Sequence, residues 1–401
     1  MLKSWLASPR RHTVSLSLPL RRTPREGVPV LNFFQNLLPD SPRVLERVQR
    51  RLGIESSHPF SLLSAIGRDC VGAFQFLPEG ESPGDEEPGG DILSEKEIEE
   101  LLGSLALRPL GMDRDGSFRI SIAGAQEKTA LLRRGGHWMR PRGATPTTHI
   151  FKIPIGVISA NGMDLSSSCE NEWLCLKIAR AYGFQAANAE ILAFGSRKAL
   201  AVERFDRRET ADGRILRLPA EDMCQALGVS PLLKYESDGG PGIADIARAL
   251  KFSRSRGDPL EFLRAQALFW MLGAIDGHAK NFSIFHVPGG FRLAPLYDIL
   301  SAWPLAAANA QDASKLRLAM ALPGGDRLSR ISEIRKPHFL AAARACGIPE
   351  SAMLRELDRM AGMTGAVIER TASELPAEFP EAVSEPIFGG LRRQAKALLG
   401  D

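Results

Sequence analysis

The sequence predicts a two-lobed α+β fold in which a strand-rich part of the chain precedes a helical part. Between about residues 116 and 205, short apolar runs are separated by turn residues, as in a sheet. After about residue 210, apolar residues recur with helical spacing almost throughout. At 401 residues the chain is also too long for one compact core. Its 44% apolar and 24% charged residues are typical of globular proteins.

The charge distribution is uneven, although the net charge is only +4. Residues 1–52 hold ten lysines and arginines against three acidic residues. A basic face of this kind fits either nucleic acid or an acidic partner, or it is a solvated surface. The sequence alone leaves these readings open.

Cysteine usage and hydropathy predict a cytoplasmic protein with no membrane partner. The five cysteines form no CxxC pair, so neither a disulfide framework nor a zinc site is expected. The first residues lack the apolar core of a signal peptide. The longest apolar run, 268–275, is far short of a membrane span.

The first hundred residues mix strand-like and helix-like patterns. Residues 14–20 alternate apolar and polar side chains, which predicts a half-buried strand. Asp40 or Ser41 can cap a helix that ends at Gly53. Residues 79–91 predict an exposed loop or linker, and Ser94-x-x-Glu97 then predicts a capping box that begins a short helix.

The remaining elements follow from the same periodicities. Strands are expected at 118–122, 129–132, 149–153, 189–192 and 199–202, with one helix at 172–182. Helices are expected at 242–251, 259–274, 337–346, 350–373 and 387–399. These elements divide the chain into an N-terminal subdomain (1–105), a strand-rich lobe (106–208) and a helical lobe (209–401).

The strongest chemical signal is Asp276, followed five residues later by Asn281 and then by Asp298 after a strand-like connection. In kinases one Asp accepts the proton of the substrate hydroxyl, while an Asn and a second Asp hold Mg²⁺. Asp276 and Asn281 could instead be ordinary turn residues. The apolar sequence before Asp276 and around Asp298 predicts that both carboxylates are buried, where they need a partner. This favours a kinase.

Lys152 lies within a predicted apolar strand, where its ammonium group needs an anion. The kinase interpretation gives it the phosphates of ATP, with Glu172 as the residue that orients it. The alternative is an edge-strand lysine whose head reaches water. The turn 121–128 has one glycine and is a weak phosphate loop by pattern, although it lies between two strands as such a loop should.

Seven stretches together resemble the HipA family of serine/threonine kinase toxins from bacterial type II toxin–antitoxin modules. They are 120–132, 147–156, 199–208, 221–225, 234–242, 276–281 and 296–300. The resemblance implies a bilobal protein-kinase-like fold related to the phosphatidylinositol kinases. It has a β-rich N-lobe with an extra N-terminal subdomain and an all-α C-lobe.

The resemblance also implies residue roles, with ATP and Mg²⁺ as cofactors. Asp276 is the catalytic base, Asn281 and Asp298 are metal ligands, and Ser121 is the site at which the kinase phosphorylates and silences itself. The nucleotide site is formed by Ala123, Gly124, Ala125, Gln126, Glu127, Lys128, Lys152, Glu203, Arg204, Phe205, Lys234, His278, Ala279, Lys280, Asn281, Tyr297 and Asp298.

The implied partners are a helix-turn-helix (HipB-like) antitoxin, operator DNA mainly through that antitoxin, and an aminoacyl-tRNA synthetase of the glutamyl type as substrate. The chain departs from the family pattern in two places. It begins late in the N-terminal subdomain, and Gly347 stands near Arg344 where a second DNA-facing basic residue is expected. A different class of function, a catalytically weak co-repressor, conflicts with the intact Asp276, Asn281 and Asp298. A small-molecule phosphotransferase is a third possibility.

Overall fold

A computed structural model describes residues 13–81, 89–112, 120–124, 126–158, 162–323 and 327–400. The chain divides into two compact units, each assembled from two separated stretches. Unit 1 comprises the chain up to Pro154 together with Ala187–Leu232, and unit 2 comprises Ile155–Ala186 together with the chain from Leu233 onward. The three-part division predicted from the sequence stays a prediction.

Unit 1 combines short helices with antiparallel strands. Its helices are α1 (Val28–Gln35), α2 (Pro42–Leu52), α3 (Pro59–Ile66), α4 (Glu95–Gly103) and, later in the chain, α6 (Met223–Leu227). Its first four strands are β1 (Gly90–Ile92), β2 (Lys128–Arg134), β3 (His137–Pro141) and β4 (His149–Lys152). After the stretch that belongs to unit 2 come β7 (Ala189–Phe194), β8 (Arg197–Glu203), β9 (Arg207–Glu209), β10 (Ile215–Arg217) and β11 (Ala220–Asp222).

Unit 2 is mainly helical. It begins with the short strands β5 (Gly156–Ile158) and β6 (Met163–Leu165) and helix α5 (Ser168–Ala181). The later helices are α7 (Ile243–Leu250), α8 (Asp258–Leu272), α9 (Trp303–Ala307), α10 (Lys336–Ala345), α11 (Glu350–Ser373) and α12 (Glu381–Leu399). Two hairpins interrupt them, β12 (Ser283–Val287) with β13 (Gly290–Leu293) and β14 (Arg317–Leu322) with β15 (Leu328–Arg330).

The main sheet of unit 1 has six strands in the order β1-β3-β2-β4-β8-β7. Every pairing in it is antiparallel, so the predicted strands around 129–132, 149–153, 189–192 and 199–202 are confirmed. Helix α4 covers one part of the sheet, where Ile98, Leu101 and Leu102 form a buried cluster with Phe151. Strand β4 lies between β2 and β8, so Lys152 is on an inner strand.

Local sequence signals explain the helix ends that position these elements. Ser41 caps α2 by accepting from the N–H of Val44, and Gly53 ends it with a φ of 64°. Ser94 and Glu97 form the predicted capping box of α4. Helix α5 begins four residues before the predicted position, at Ser168, and α12 begins at Glu381 with Pro386 inside it.

The predicted strand at 14–20 is wrong, because residues 13–20 form bends and coil. The hydroxyl of Thr13 donates to the carbonyls of Ser15 and Leu18, and the hydroxyl of Ser15 lies 2.8 Å from that of Ser17. Hydroxyls that bond to nearby backbone compete with strand pairing. The alternating apolar pattern is real, and Leu18 is buried in the core of unit 1.

Within the described ranges, no helix is long and apolar enough to cross a membrane. The predicted strand at 118–122 falls partly outside the described residues. Its described part forms a single parallel bridge between Ile120 and Asp69.

Candidate active site

The segment that carries Asp276 follows the end of α8 in unit 2. Gly273 ends the helix in the left-handed region, with a φ of 61°, and its N–H bonds back to the last turn. A Cβ atom at Gly273 would fall 2.7 Å from the ring of Trp303, so the position requires glycine on two grounds. The chain then turns, and the N–H of His278 donates to the carbonyl of Asp276 at 2.8 Å.

Asp276 is exposed, so the prediction that this carboxylate is buried is wrong. The apolar helix ends at Leu272, and the turn that follows carries Asp276 away from the core. Asp298 is partly buried and has a φ of 57°, an uncommon conformation for a residue with a Cβ atom. Such backbone strain is found most often at functional sites.

Asn281 links the two segments of the site. It ends a short 3-10 turn, is 2% exposed, and donates from Nδ2 to the backbone carbonyl of Asp298 at 3.3 Å. Its Oδ1 is buried and accepts no hydrogen bond from the residues that the structure describes. A buried amide oxygen without a donor costs free energy, which a bound cation would recover.

Asn281 and Asp298 therefore fit Mg²⁺, which takes oxygen ligands and usually shares one or two protein groups with substrate phosphates. No group of three or more His, Cys, Asp or Glu side chains suited to a metal occurs in the described part of the chain. A self-sufficient metal cage is thus absent there. The donor set matches a metal that arrives with a nucleotide.

The side chain of Tyr297 also contacts the segment that carries Asn281. Its hydroxyl donates to the carbonyl of Lys280 at 2.6 Å and lies 2.6 Å from the hydroxyl of Ser283. His278 and Lys280 are 5% and 6% exposed, so the turn that carries them is well packed.

The glycine-rich stretch that follows Lys234 also contacts residues 276–281, the candidate catalytic turn. The carbonyl of Lys234 accepts from the N–H of Ala279 at 3.2 Å. The hydroxyl of Tyr235 donates to Oδ1 of Asp276 at 2.5 Å, and its ring meets the ring of His278 edge to face at 4.8 Å. Sequence reasoning did not assign a role to Tyr235. The chain has only three tyrosines, and this rarity was the one available signal.

In unit 1, two buried lysines lie directly opposite each other. Lys128 on β2 and Lys152 on β4 are register partners and are 6% and 7% exposed. Directly opposed residues project from the same face of a sheet. The alternative of an edge-strand lysine that reaches water is therefore wrong for Lys152.

The candidate phosphate loop leads into β2. Nζ of Lys128 donates to the carbonyl of Ala123 at 2.5 Å, and a Cβ atom at Gly124 would fall 2.3 Å from that ammonium. Gly124 has a φ of 103°, which favours glycine. Gln126 donates to the carbonyl of Ile153 at 2.6 Å, and Glu127 forms an ion pair with Arg47. Ala125 lies outside the described residues.

Ser121 is fully buried. Its hydroxyl donates to the carbonyl of Leu37 at 2.8 Å, and its N–H donates to the carbonyl of Asp69 at 3.0 Å. In this conformation the hydroxyl is inaccessible, so phosphorylation requires the segment to leave its position.

Three residues that were predicted to form part of the nucleotide site lie at and just after the end of β8, namely Glu203, Arg204 and Phe205. Glu203 is exposed and accepts from Asn188, whereas Phe205 is partly buried. The side chain of Arg204 is 1% exposed and pairs with Asp69 and Asp206, so its guanidinium stabilises the core of unit 1. A nucleotide contact by Arg204 stays a prediction.

The structure thus brings the predicted residues together in two groups. In unit 2, contacts connect Lys234, Asp276, His278, Ala279, Lys280, Asn281, Tyr297 and Asp298. In unit 1, contacts connect Ala123, Gly124, Lys128 and Lys152.

Comparison with known proteins assigns the chain to a family. The HipA-like C-terminal domain model matches residues 120–368, and the HipA N-terminal domain model matches residues 2–77. The chain belongs to the HipA family. Among its relatives, the putative kinase Y4mE of Sinorhizobium fredii is 33% identical over 380 residues, covering 93% of this chain and 86% of that protein.

The serine/threonine-protein kinase toxin HipA of Shewanella oneidensis is 30% identical over 363 residues, covering 86% of this chain and 77% of that protein. The solved complex of Shewanella oneidensis HipA with HipB and operator DNA matches with a TM-score of 0.81 and 26% identity. That match covers 100% of this chain and 91% of the solved one. This HipA-family chain is accordingly a serine/threonine-protein kinase with an α+β fold, and a kinase implies ATP.

Proposed function

We propose that this HipA-family kinase is the toxin of a type II toxin–antitoxin module and works in the cytoplasm. It uses ATP and Mg²⁺ to phosphorylate an aminoacyl-tRNA synthetase of the glutamyl type, which inhibits translation. A HipB-like helix-turn-helix antitoxin neutralises it and connects it to operator DNA. The proposed scaffold is a bilobal fold related to the phosphatidylinositol kinases.

The observation that carries the proposal is the arrangement of Asp276, Asn281 and Asp298 in unit 2. The catalytic turn exposes the carboxylate of Asp276, as a base that must meet a protein hydroxyl requires. Asn281 and Asp298 would hold Mg²⁺, which when bound neutralises charge on the phosphates. Lys128 and Lys152 supply two further positive charges for those phosphates.

The partners are proposed by analogy with the relatives. The HipA of Shewanella oneidensis is named a toxin and has been solved with HipB and operator DNA. The solved match covers 100% of this chain, which supports an equivalent antitoxin partner. The choice of the glutamyl synthetase as the substrate rests on family resemblance alone.

The proposal is tested with purified kinase, radiolabelled ATP and a panel of aminoacyl-tRNA synthetases. Asp276→Asn and Asp298→Asn should each lower transfer by several powers of ten, because positioning and charge neutralisation provide nearly all of this catalysis. Both variants should keep the wild-type unfolding temperature and relieve toxicity in cells.

Asp358→Asn is the matched control. Asp358 is exposed on α11 and pairs only at the surface with Lys336, so this variant should keep full activity. Near-wild-type transfer by either active-site variant would refute the site. Label confined to small solutes would instead support a small-molecule phosphotransferase, and antitoxin binding without any transfer would support a co-repressor.

A further inference from the structure

Tyr235 contacts the carboxylate that the proposed function uses as a base. Its hydroxyl lies 2.5 Å from Oδ1 of Asp276, across 41 positions of sequence. The phenol donates this bond, because an ionised carboxylate only accepts. A hydrogen bond to a charged group is among the stronger ones in proteins.

The phenol is itself held in place. Its ring packs edge to face against His278 at 4.8 Å, and the ammonium group of Lys234 lies over it at 5.5 Å. The carbonyl of Tyr235 accepts from Gly240 at 3.0 Å, which closes the loop on itself. A tyrosine side chain has two rotatable bonds, so these contacts leave its hydroxyl little freedom.

The next residue anchors the loop to the hairpin of β14 and β15. Oε2 of Glu236 accepts from the N–H of Ala321 at 2.5 Å, and its other oxygen pairs with Arg327. A Cβ atom at Gly242 would fall 2.0 Å from that carboxylate, so glycine there lets the side chain of Glu236 lie close to the loop. These contacts of the loop therefore help to fix the position of Tyr235.

Asp276 needs such a support because it is exposed. A surface aspartate samples several rotamers, whereas a catalytic group must be held close to its productive geometry. We propose that Tyr235 is a positioning residue for phosphoryl transfer, which fixes the carboxylate of Asp276 through Oδ1 and leaves the proton of the substrate to Oδ2. This inference rests on the proposed function.

Tyr235 takes no part in the bond changes of phosphoryl transfer. The proton of the substrate hydroxyl moves to Oδ2 of Asp276, the substrate oxygen forms a bond to the γ-phosphorus, and the bond to the leaving ADP oxygen breaks. Tyr235 keeps its own proton throughout. Its removal should therefore slow the chemical step and leave ATP binding unchanged.

The test compares Tyr235→Phe with wild type in the full-length kinase. Phenylalanine keeps the ring contact with His278 and removes only the hydroxyl. We expect kcat to fall roughly tenfold to a hundredfold, the worth of one hydrogen bond to a charged group. The KM for ATP should stay within about twofold, a split that general loosening of the fold would not produce.

Tyr182→Phe is the matched control, since the hydroxyl of Tyr182 bonds to Thr364 in the core of unit 2. It should lower the unfolding temperature without changing kcat.

Glu236→Ala should lower kcat in the same way as Tyr235→Phe. The double variant should have a kcat little lower than that of either single variant, because both act through one contact.

The readouts are transfer to the synthetase that the panel identifies and the slow hydrolysis of ATP by water. A kcat for Tyr235→Phe within twofold of wild type, or a fall matched by the Tyr182→Phe control, would overturn the positioning role. Inactivity of the wild type in both assays would refute the proposed function itself, so the two failures are distinguishable.

Discussion

At the scale of single residues, unit 1 places two buried lysines directly opposite each other. Lys128 and Lys152 lie opposite each other on neighbouring strands, and both are nearly inaccessible to water. Like charges in this position repel, and burial adds the cost of lost hydration. A sheet selected for stability alone would place apolar residues there. In the proposed function this pair binds an anionic ligand with several charges, the phosphates of ATP.

Replacing either lysine should separate stability from binding. We expect Lys152→Met to leave the unfolding temperature of the ligand-free kinase within a few degrees of wild type, because methionine keeps the volume of the side chain. The same change should weaken binding of a non-hydrolysable ATP analogue at least tenfold in calorimetric titration. Lys128→Met should weaken nucleotide binding in the same way. It should also lower the unfolding temperature, because it removes the hydrogen bond from Nζ to the carbonyl of Ala123.

Lys198→Met on β8 is the control, since Lys198 is exposed on the same sheet. This variant should change neither the unfolding temperature nor the affinity for the ATP analogue. Unchanged nucleotide affinity in the Lys152 and Lys128 variants would remove both residues from the proposed site.

Residue type and spacing could suggest candidate site residues from the sequence, but they could not give the surroundings of those residues. Asp276 was expected in the core because its neighbours are apolar, yet the turn after Gly273 places it at the surface. Tyr235 was missed because its partner is 41 residues away. A spacing pattern describes residues near in sequence, whereas such contacts depend on how loops pack.

At the scale of elements, the segment 120–124 is tied to two neighbouring loops. Ile120 pairs with Asp69, Ser121 bonds to Leu37 and Asp69, and Gly124 accepts from the N–H of Asp40. These bonds hold Ala123, whose carbonyl accepts from Lys128, in its position. The segment can leave only by breaking several hydrogen bonds together.

Phosphorylation of Ser121 should be slow and should trap the segment outside. A phosphate adds a charge of roughly −1.5 to −2, which is costly at a fully buried position, and the hydroxyl of Ser121 faces the carbonyl of Leu37, an acceptor that a phosphate would repel. We expect the active kinase to phosphorylate Ser121 over long incubation and then to bind ATP poorly. Hydrogen exchange should rise at 120–131 and at 37–40 in the modified protein.

Asp276→Asn and Ser121→Ala provide the controls. The first should stay unmodified, and the second should remain active over the same period. Modified protein that keeps its nucleotide affinity, or equal modification of the Asp276 variant, would exclude self-silencing at this segment.

Elements with strong local signals could be predicted, as α2 and α4 show through Ser41, Gly53 and the capping box at Ser94. Helices α1 and α3 were missed because neither contains a charged residue, so no polar face stands out, whereas the equally short α7 carries Asp245 and Arg248 among apolar residues at helical spacing. Apolar residues in 14–20 can be buried without forming a strand. Hydroxyl groups donate to backbone carbonyls that a partner strand would otherwise bond.

At the scale of the whole molecule, unit 1 is held together by a buried charge cluster that links distant parts of the chain. Asp69 pairs with Arg204, Arg207 and Arg217 across more than 130 positions of sequence, and Asp206 pairs with the first two. Burial opposes the charge on Asp69, but the three guanidinium groups prevail and hold its pKa far below its usual range. Composition and periodicity gave no indication of this cluster, because each member is an ordinary surface residue type.

Acid should therefore destabilise unit 1 in two stages. Burial lowers the pKa of His149 to about 4, so the folded protein keeps this imidazole neutral while the unfolded chain binds a proton below about pH 6.5. Stability is thus complete above that pH and falls by about 1–3 kcal/mol as the pH drops towards 4. Below about pH 4, Asp69 and Asp206 also bind protons in the unfolded chain, whereas in the folded protein their lowered pKa values keep them ionised. The free energy of unfolding therefore falls more steeply there.

Urea unfolding between pH 7.5 and 3.5, followed by hydrogen exchange in 128–152, would measure both stages. His149→Phe keeps a ring against Trp138 and removes the titration, so its stability should be flat between pH 6.5 and 4.5. His137→Gln, at an exposed position on β3, should keep the wild-type slope. A wild-type curve that is level from pH 6.5 to 4.5, or a His149→Phe curve that falls like wild type, would assign the acid sensitivity to other groups.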